Sequence, residues 1–322
     1  MALPNFLGIG TARSGTTALY SKLGLHPDVF VPTRSKEQNF FNNRYHLGVP
    51  YYEISSFGGV RNEKAIGEFT PNYLYDPLCA EKIATTLGLD MKFIVCLRSP
   101  AERAYSHYMM YFNWFWESET FERALGLEES RLQHAETSHL NYFKRSRYAE
   151  QLSRYMDKFH LGQMFLIEFQ EDYLEKEDIT LGKLFEFLEV DPDRFTGADP
   201  NLGRNNSVET TAQYFETAQS IRLNNPQGES ITMSIEEDSL VIFNLVGGLY
   251  FPFGAQEFAG VPVNIIRHPS EQIRNFWEKR QQEKPPAKLS REEYIRINNE
   301  VFHEDISRLE DLLGRDFSHW LK

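Results

Sequence analysis

The sequence predicts an α/β fold in which a parallel sheet is flanked by helices. Apolar runs near 5–10, 64–69, 92–98 and 163–169 are each followed by a stretch of helical spacing, and strand–helix alternation of this kind implies parallel pairing with right-handed crossovers. Two of these strands also run straight into short turns rich in glycine, proline, arginine and hydroxyl side chains, the composition of an anion-binding strand end. From about Ser207 to Ile273 the pattern changes to alternating, β-branched runs broken by glycine and proline, which predicts a β-rich insertion or lid.

Helices are expected near 16–24, 77–88, 100–114, 120–136, 147–160, 180–189 and 291–313. No Pro/Ser/Gly linker, low-complexity run or internal repeat divides the 322 residues, so residues 1–322 read as one domain with 207–273 inserted in it.

The first strand leads into the most chemical segment, FLGIGTARSGTTAL from Phe6 to Leu19. Counted from Gly10, GTARSGTT has the phosphate-loop spacing G-x-x-x-x-G-K-[ST], with Thr16 in place of the lysine. The N–H groups of Ser14, Gly15, Thr16 and Thr17, where the loop opens a helix through Ala18, would wrap an anion together with the threonine hydroxyls. Arg13 supplies positive charge from inside the loop. A loop lysine reaches the β- and γ-phosphates of a nucleoside triphosphate, so its absence argues against a kinase and for a donor with a shorter 5′ anion. A glycine-bounded loop alone is also an ordinary strand-to-helix turn.

The second motif strengthens the anion reading. In KFIVCLRSPAERAYSHYMMYF, Arg98 ends a strand and Ser106 lies two turns along the next helix, so both can face one crevice at the sheet edge. A guanidinium that forks onto phosphate oxygens and a serine hydroxyl suit a second phosphate. The bland alternative is an ion pair of Arg98 or Arg103 with Glu102.

These motifs carry a family resemblance. GTARSGTTAL resembles the 5′-phosphosulfate loop, and LRSPAERAYSHY the 3′-phosphate motif, of sulfotransferases that use 3′-phosphoadenosine 5′-phosphosulfate (PAPS), in the heparan sulfate N- and 3-O-sulfotransferase branch and its bacterial relatives. LHPDVFVPTRSKEQNFF, EFTPNYL, the segment from Arg147 to Phe169, LFEFLEVDPDRF and the closing LEDLLGRDFSHW are similar too. The resemblance implies that Arg13, Gly15, Thr16 and Thr17 bind the 5′ end of PAPS, that Arg98 and Ser106 bind its 3′-phosphate, and that 3′-phosphoadenosine 5′-phosphate (PAP) is released.

By the same resemblance Glu68, in EFTP at the end of the strand AIGEF, is the expected general base. Sulfuryl transfer needs a hydroxyl activated in line with the departing phosphate and positive charge on oxygens that become more negative. Burial at a strand end would raise the Glu68 pKa toward the working pH. Arg13 and Lys36 are candidates for the positive charge; the alternative for Glu68 is a structural ion pair.

Two departures bear on the acceptor. Phe69 follows the glutamate where glycan enzymes carry lysine, and Gln38-Asn39 stand where relatives often read P-H. A net charge of -12 disfavours nucleic acid, acidic membrane surfaces and polyanionic acceptors. The helix after Ser106 continues as YMMYFNWFWES, a run that is either core or an apolar groove. Phe69, Tyr111 and Trp114 are therefore candidate acceptor contacts. The acceptor is expected to be a hydroxyl on a hydrophobic acyl chain, including a 3-hydroxyacyl chain tethered to an acyl carrier protein as in polyketide-type sulfotransferase domains, with a carbohydrate hydroxyl as the alternative.

Arg204 and His268 flank the insertion and are expected to reach the acceptor, His268 as a second acid–base group. A lid there would exclude water. Lys279, Arg280, Lys284 and Lys288 form a basic loop at the position where relatives contact the 3′-phosphate. Cys79 and Cys96 are too few for a disulfide framework, and no metal-ligand spacing appears. With the first strand starting by Asn5 and no apolar run of membrane-spanning length, a cytoplasmic protein is expected. The rival classes are a nucleotide kinase, which Thr16 opposes, and a non-catalytic PAP-binding module, which would have no use for Glu68.

Overall fold

The computed structural model describes residues 2–113, 117, 119–133, 140–195, 197 and 286–322, together with the backbone of six short strands between 220 and 269. The chain divides into two compact units, residues 1–205 with 289–322, and residues 206–288.

The first unit is built on five parallel strands, β1 (Phe6–Gly10), β2 (Val29–Phe30), β3 (Ala65–Phe69), β4 (Lys92–Leu97) and β5 (Met164–Glu168), in the order β2-β3-β1-β4-β5. β1 is buried along its whole length, as expected of a parallel strand covered on both faces. Side chains alternate between two cores. Leu7, Ile9, Phe93, Val95 and Leu97 face one core, and Phe6, Ile94, Cys96 and Ile167 face the other. The chain first builds toward β2 and β3 and then returns to add β4 and β5 on the other side of β1, so the order reverses between β1 and β4. Ligands of open parallel sheets bind beyond the carboxyl ends of the strands at such a reversal. The two motifs singled out in the sequence follow β1 and β4.

Helix α1 (Thr16–Leu23) follows β1, α2 (Gly48–Phe57) lies between β2 and β3, and α3 (Asn72–Tyr75) and α4 (Cys79–Leu87) lie between β3 and β4. α5 (Pro100–Asn113) follows β4, then α6 (Phe121–Gly126), α7 (Glu128–Leu132) and α8 (Tyr148–Met156) precede β5, and α9 (Glu177–Phe187) follows it. The helices expected from the sequence do not include α2, which holds Gly48 and Pro50 in its first turn; a proline there removes no helical hydrogen bond. The helix expected over 120–136 breaks at Leu127. There Glu128 turns inward and accepts from the N–H groups of Phe143 and Lys144 at 2.5 and 2.7 Å. The helix expected over 291–313 is interrupted by a wide turn at Asn298–Phe302. The Asn298 side chain accepts from the Ala101 N–H at 2.9 Å and donates to Ser99 Oγ at 2.9 Å and Trp320 O at 2.8 Å, a tertiary tie of the kind that sustains such turns.

Within the second unit six strands pair antiparallel in twos: β6 (Ser220–Asn224) with β7 (Ser230–Ser234), β8 (Ser239–Phe243) with β11 (Ile265–Pro269), and β9 (Gln256–Phe258) with β10 (Val261–Val263). The segment is β-rich, as its pattern implied. Among the described residues no helix is long and apolar enough to cross a membrane.

Candidate active site

The loop after β1 is closed from below by the sheet. Thr11 donates its backbone N–H to Cys96 O at 2.7 Å and its hydroxyl to the same oxygen at 3.0 Å, and the Thr11 and Ser14 hydroxyls lie 2.6 Å apart. Arg13 and Gly15 adopt positive φ, 73° and 81°. Gly15 has a second reason to lack a side chain, because a Cβ there would lie 2.8 Å from the Phe169 ring. The loop then enters α1 with Thr16 buried and Thr17 exposed, leaving the first N–H groups of the helix at the sheet edge.

Charge gathers around this turn. Arg13 Nε donates to Ser106 Oγ at 3.1 Å, so the two motifs meet in one contact. Arg13 Nη1 also approaches Met110 Sδ at 3.7 Å. Arg98 Nη1 donates to the Arg13 carbonyl at 3.4 Å, and the Arg98 guanidinium stands 5.1 Å from the Phe169 ring centre. Burial, and after it the charge of Arg98, depresses the Arg13 pKa. Among the described residues no carboxylate pairs with Arg13. Two neighbouring guanidinium groups, one of them half desolvated and unneutralised, favour an anion between them. Arg98 itself is paired with Glu102 at 2.9 Å, the ion pair that the sequence offers as the alternative to phosphate binding.

Lys36 reaches the loop from the turn after β2. Its Nζ donates to Thr16 Oγ1 at 2.9 Å and to Thr17 Oγ1 at 3.2 Å, and lies 3.7 Å from Glu37 Oε1. Burial lowers the Lys36 pKa, against the pull of Glu37, and burial raises that of Glu37. The side chain of Glu37 nevertheless keeps 23% of its exposure.

Glu68 lies at the end of β3 and is wholly buried. Tyr52 and Tyr73 donate to its Oε1 at 3.0 and 2.6 Å, and Thr70 donates to its Oε2 at 2.7 Å. Burial pushes its pKa up to about 7 in spite of these three donors. The hydroxyls also work in the other direction. Thr70 Oγ1 accepts from the Asn39 N–H at 3.2 Å and Tyr73 OH from the Phe40 N–H at 2.9 Å. Glu68 is thereby the hub that fixes the backbone immediately after Glu37.

The remaining candidates divide. Phe69 is fully buried, with its ring against Phe6 and Tyr20 and over Gly8. It fills core rather than facing the cleft, because the residue after Glu68 on β3 points to the opposite face of the sheet. Tyr111 is buried with His107 and Tyr142, close enough to Glu37 to feel its charge. Tyr108 of the same aromatic run is core, as is Tyr105 one turn earlier on the helix. Ala18 lies in the first turn of α1, half-buried. Trp114, Arg204, Lys279, Arg280 and Lys284 lie outside the described residues; of His268 only the backbone is described, in β11 opposite Leu240. Lys288 is exposed. Sequence reasoning quoted Glu37 without giving it a role, and missed Tyr52 and Tyr73. The only signal for Tyr73 was its place five residues after Glu68 on the turn leaving the strand. Tyr52 comes from a helix that was not foreseen.

The sheet thus carries a lysine-less loop of phosphate-loop spacing after β1 and the Arg98 turn after β4, both at its reversal point. Residues 3–225 match the Sulfotransferase domain family, and the chain belongs to that family. It is 39% identical over 116 residues to the membrane-associated sulfotransferase kil1 of Dictyostelium discoideum, covering 35% of this chain and 24% of that protein. Over 202 residues it is 29% identical to bifunctional heparan sulfate N-deacetylase/N-sulfotransferase 1 of Caenorhabditis elegans, covering 59% and 22%. The chain thus spans a quarter or less of the length of these relatives. The crystal structure of a sulfotransferase from Alicyclobacillus acidocaldarius superposes over the whole of both chains with a TM-score of 0.63 at 22% identity, which shows a common fold.

Proposed function

We propose that this chain transfers the sulfuryl group of PAPS to an acceptor hydroxyl and releases PAP. The observation that carries the reading is the convergence of Arg13 with Ser106, Lys36 with Thr16 and Thr17, and the Glu37 carboxylate on one loop at the sheet reversal. The loop N–H groups and Arg13 hold the 5′ phosphosulfate, and Arg98 with Ser106 takes the 3′-phosphate. In the transfer step the acceptor oxygen bonds to sulfur, the sulfur–oxygen bond to the 5′-phosphate breaks, and the acceptor proton passes to a carboxylate. Lys36 stabilises the charge left on the departing phosphate oxygen.

Two carboxylates compete for the role of base. Glu68 has the pKa of a base at neutral pH, but both its oxygens already accept hydrogen bonds inside the core. Glu37 keeps an open side, adjoins Lys36 and has a raised pKa. A base must come within hydrogen-bond reach of the proton it removes. We therefore assign proton removal to Glu37 and the positioning of its segment to Glu68.

The acceptor we favour is a hydroxyl on an uncharged, hydrophobic chain, such as a carrier-tethered 3-hydroxyacyl group, on the strength of the net charge of -12. A carbohydrate is the second reading, supported by the named heparan sulfate relatives. Calorimetric titration with PAP, beside ADP and ATP–Mg²⁺, tests the donor assignment. Tight PAP binding with weak ADP binding is expected, and binding of ATP–Mg²⁺ in place of PAP overturns it. Carrier-bound 3-hydroxyacyl substrates and oligosaccharides, offered with labelled PAPS, then separate the acceptors.

A further inference from the structure

We infer that the C-terminal residues His319 and Trp320 are positioning residues for the donor site, acting through Glu168 and Phe169, and that protonation of His319 tightens donor binding. The inference rests on the donor site proposed above. Phe169 is the first residue after β5; its ring closes the space beside Gly15 and lies under the Arg98 guanidinium. The residue before it, Glu168, is almost wholly buried. Its Oε1 accepts from Trp320 Nε1 at 3.1 Å, and its Oε2 from the Glu171 N–H at 2.5 Å. Trp320 O in turn accepts from Asn298, the residue that holds Ser99 and Ala101 at the start of α5. The chain terminus is thus bonded to the segments behind both anion motifs.

His319 sits between two carboxylates. Its Nε2 lies 4.0 Å from Glu168 Oε1 and its Nδ1 3.7 Å from Glu171 Oε1. Both contacts are longer than hydrogen bonds, and the buried Nε2 has no hydrogen-bond partner among the described residues; a protonated ring stands as a cation between the two acids. The other charged groups around the cluster are Asp172 and Arg315, paired at 2.8 Å, with Arg315 also 3.5 Å from Glu171, and Asp316 on the histidine's own segment. Glu168, followed by Glu171 and Asp316, holds the His319 pKa above the ordinary histidine value against the opposing effect of burial. Deprotonation removes the positive charge between Glu168 and Glu171, and the two acids then repel across the turn that carries Phe169.

The test is calorimetric titration of the full chain with PAP from about pH 6 to about pH 9, in the wild type, His319→Gln and Trp320→Phe, beside an NMR titration of the His319 ring. The wild type is expected to lose about fivefold more PAP affinity over this range than His319→Gln, the scale of one half-exposed ion pair. His319→Gln should already bind weakly at the acid end, and Trp320→Phe should bind weakly at every pH while keeping the pH slope. Equal slopes in wild type and His319→Gln, or a ring pKa at or below the ordinary value, overturn the inference while leaving the donor site intact. Absence of PAP binding by the wild type at any pH overturns the donor site, and the inference with it.

Discussion

Lys36 Nζ stands 2.9 Å from Thr16 Oγ1, so the residue that replaces the phosphate-loop lysine is itself touched by a lysine brought in from the turn after β2. The loop keeps the charge but changes its origin. A lysine inside the loop is fixed with the phosphates it holds, whereas Lys36 shares a short turn with Glu37 and lies 3.7 Å from its carboxylate. Lys36→Met should lower kcat by roughly 10²–10³, the usual effect of losing one group that stabilises developing charge. The PAP dissociation constant should change far less. If PAP affinity falls as much as kcat, Lys36 holds the donor in its ground state and is no specific partner of the transition state.

The two carboxylates should separate in kinetics and stability. Glu37→Gln removes a group at the open side of the cleft, so turnover should fall by about 10²–10⁴ with the melting temperature almost unchanged. Glu68→Gln places an amide among three hydroxyl donors, and should disturb folding as well as rate. Steady-state kinetics and thermal melts on both variants decide the matter. Near-normal turnover in Glu37→Gln, with a stable but inactive Glu68→Gln, would return the base to Glu68.

How far the sequence announced this site follows from how local each part is. The parallel sheet, the loop after β1 and the Arg98 turn after β4 are runs of consecutive residues, and their periodicity and composition carry the signal. The contact between Arg13 and Ser106 follows once both lie at one sheet edge. The environment of Glu68 does not follow in this way. It depends on Tyr52 from α2, and on Asn39 and Phe40 N–H groups that find Thr70 and Tyr73 only after folding. The sequence places Glu68 at a strand end where burial is expected to raise its pKa, but the three hydroxyls that cover it appear only in three dimensions. Phe69 was misjudged for a related reason, since alternation along β3 turns it away from the face that Glu68 occupies.

Glu68 also predicts a pH dependence of stability. Its pKa rises from 4.5 to about 7 on folding, so between those values the native state holds more protons than the unfolded chain. Stability should therefore decrease as pH rises from about 4.5 to about 7, by an amount on the order of 3 kcal/mol for this group. Urea unfolding at a series of pH values reads the slope, and in Glu68→Gln this component should vanish. Identical slopes in both proteins would mean that Glu68 does not titrate in this window.

Gly15 separates backbone strain from the packing that shapes the donor loop. Its φ of 81° costs a substituted side chain on the order of 1 kcal/mol, and a Cβ would press on the Phe169 ring at 2.8 Å. Gly88 has a similar φ of 86° with nothing within 4 Å, so Gly88→Ala carries the backbone cost alone. Gly88→Ala should lose about 1 kcal/mol of stability and bind PAP normally. Gly15→Ala should lose more, roughly 2–3 kcal/mol, and its PAP affinity should drop by over about tenfold, because the loop N–H groups shift when the alanine pushes away from the ring. Phe169→Ala opens that space, so it should restore part of the stability lost in Gly15→Ala, as a double-mutant cycle measures. Strict additivity of the two substitutions would show that the ring and the loop are independent, and that Gly15 is required for its backbone angle alone.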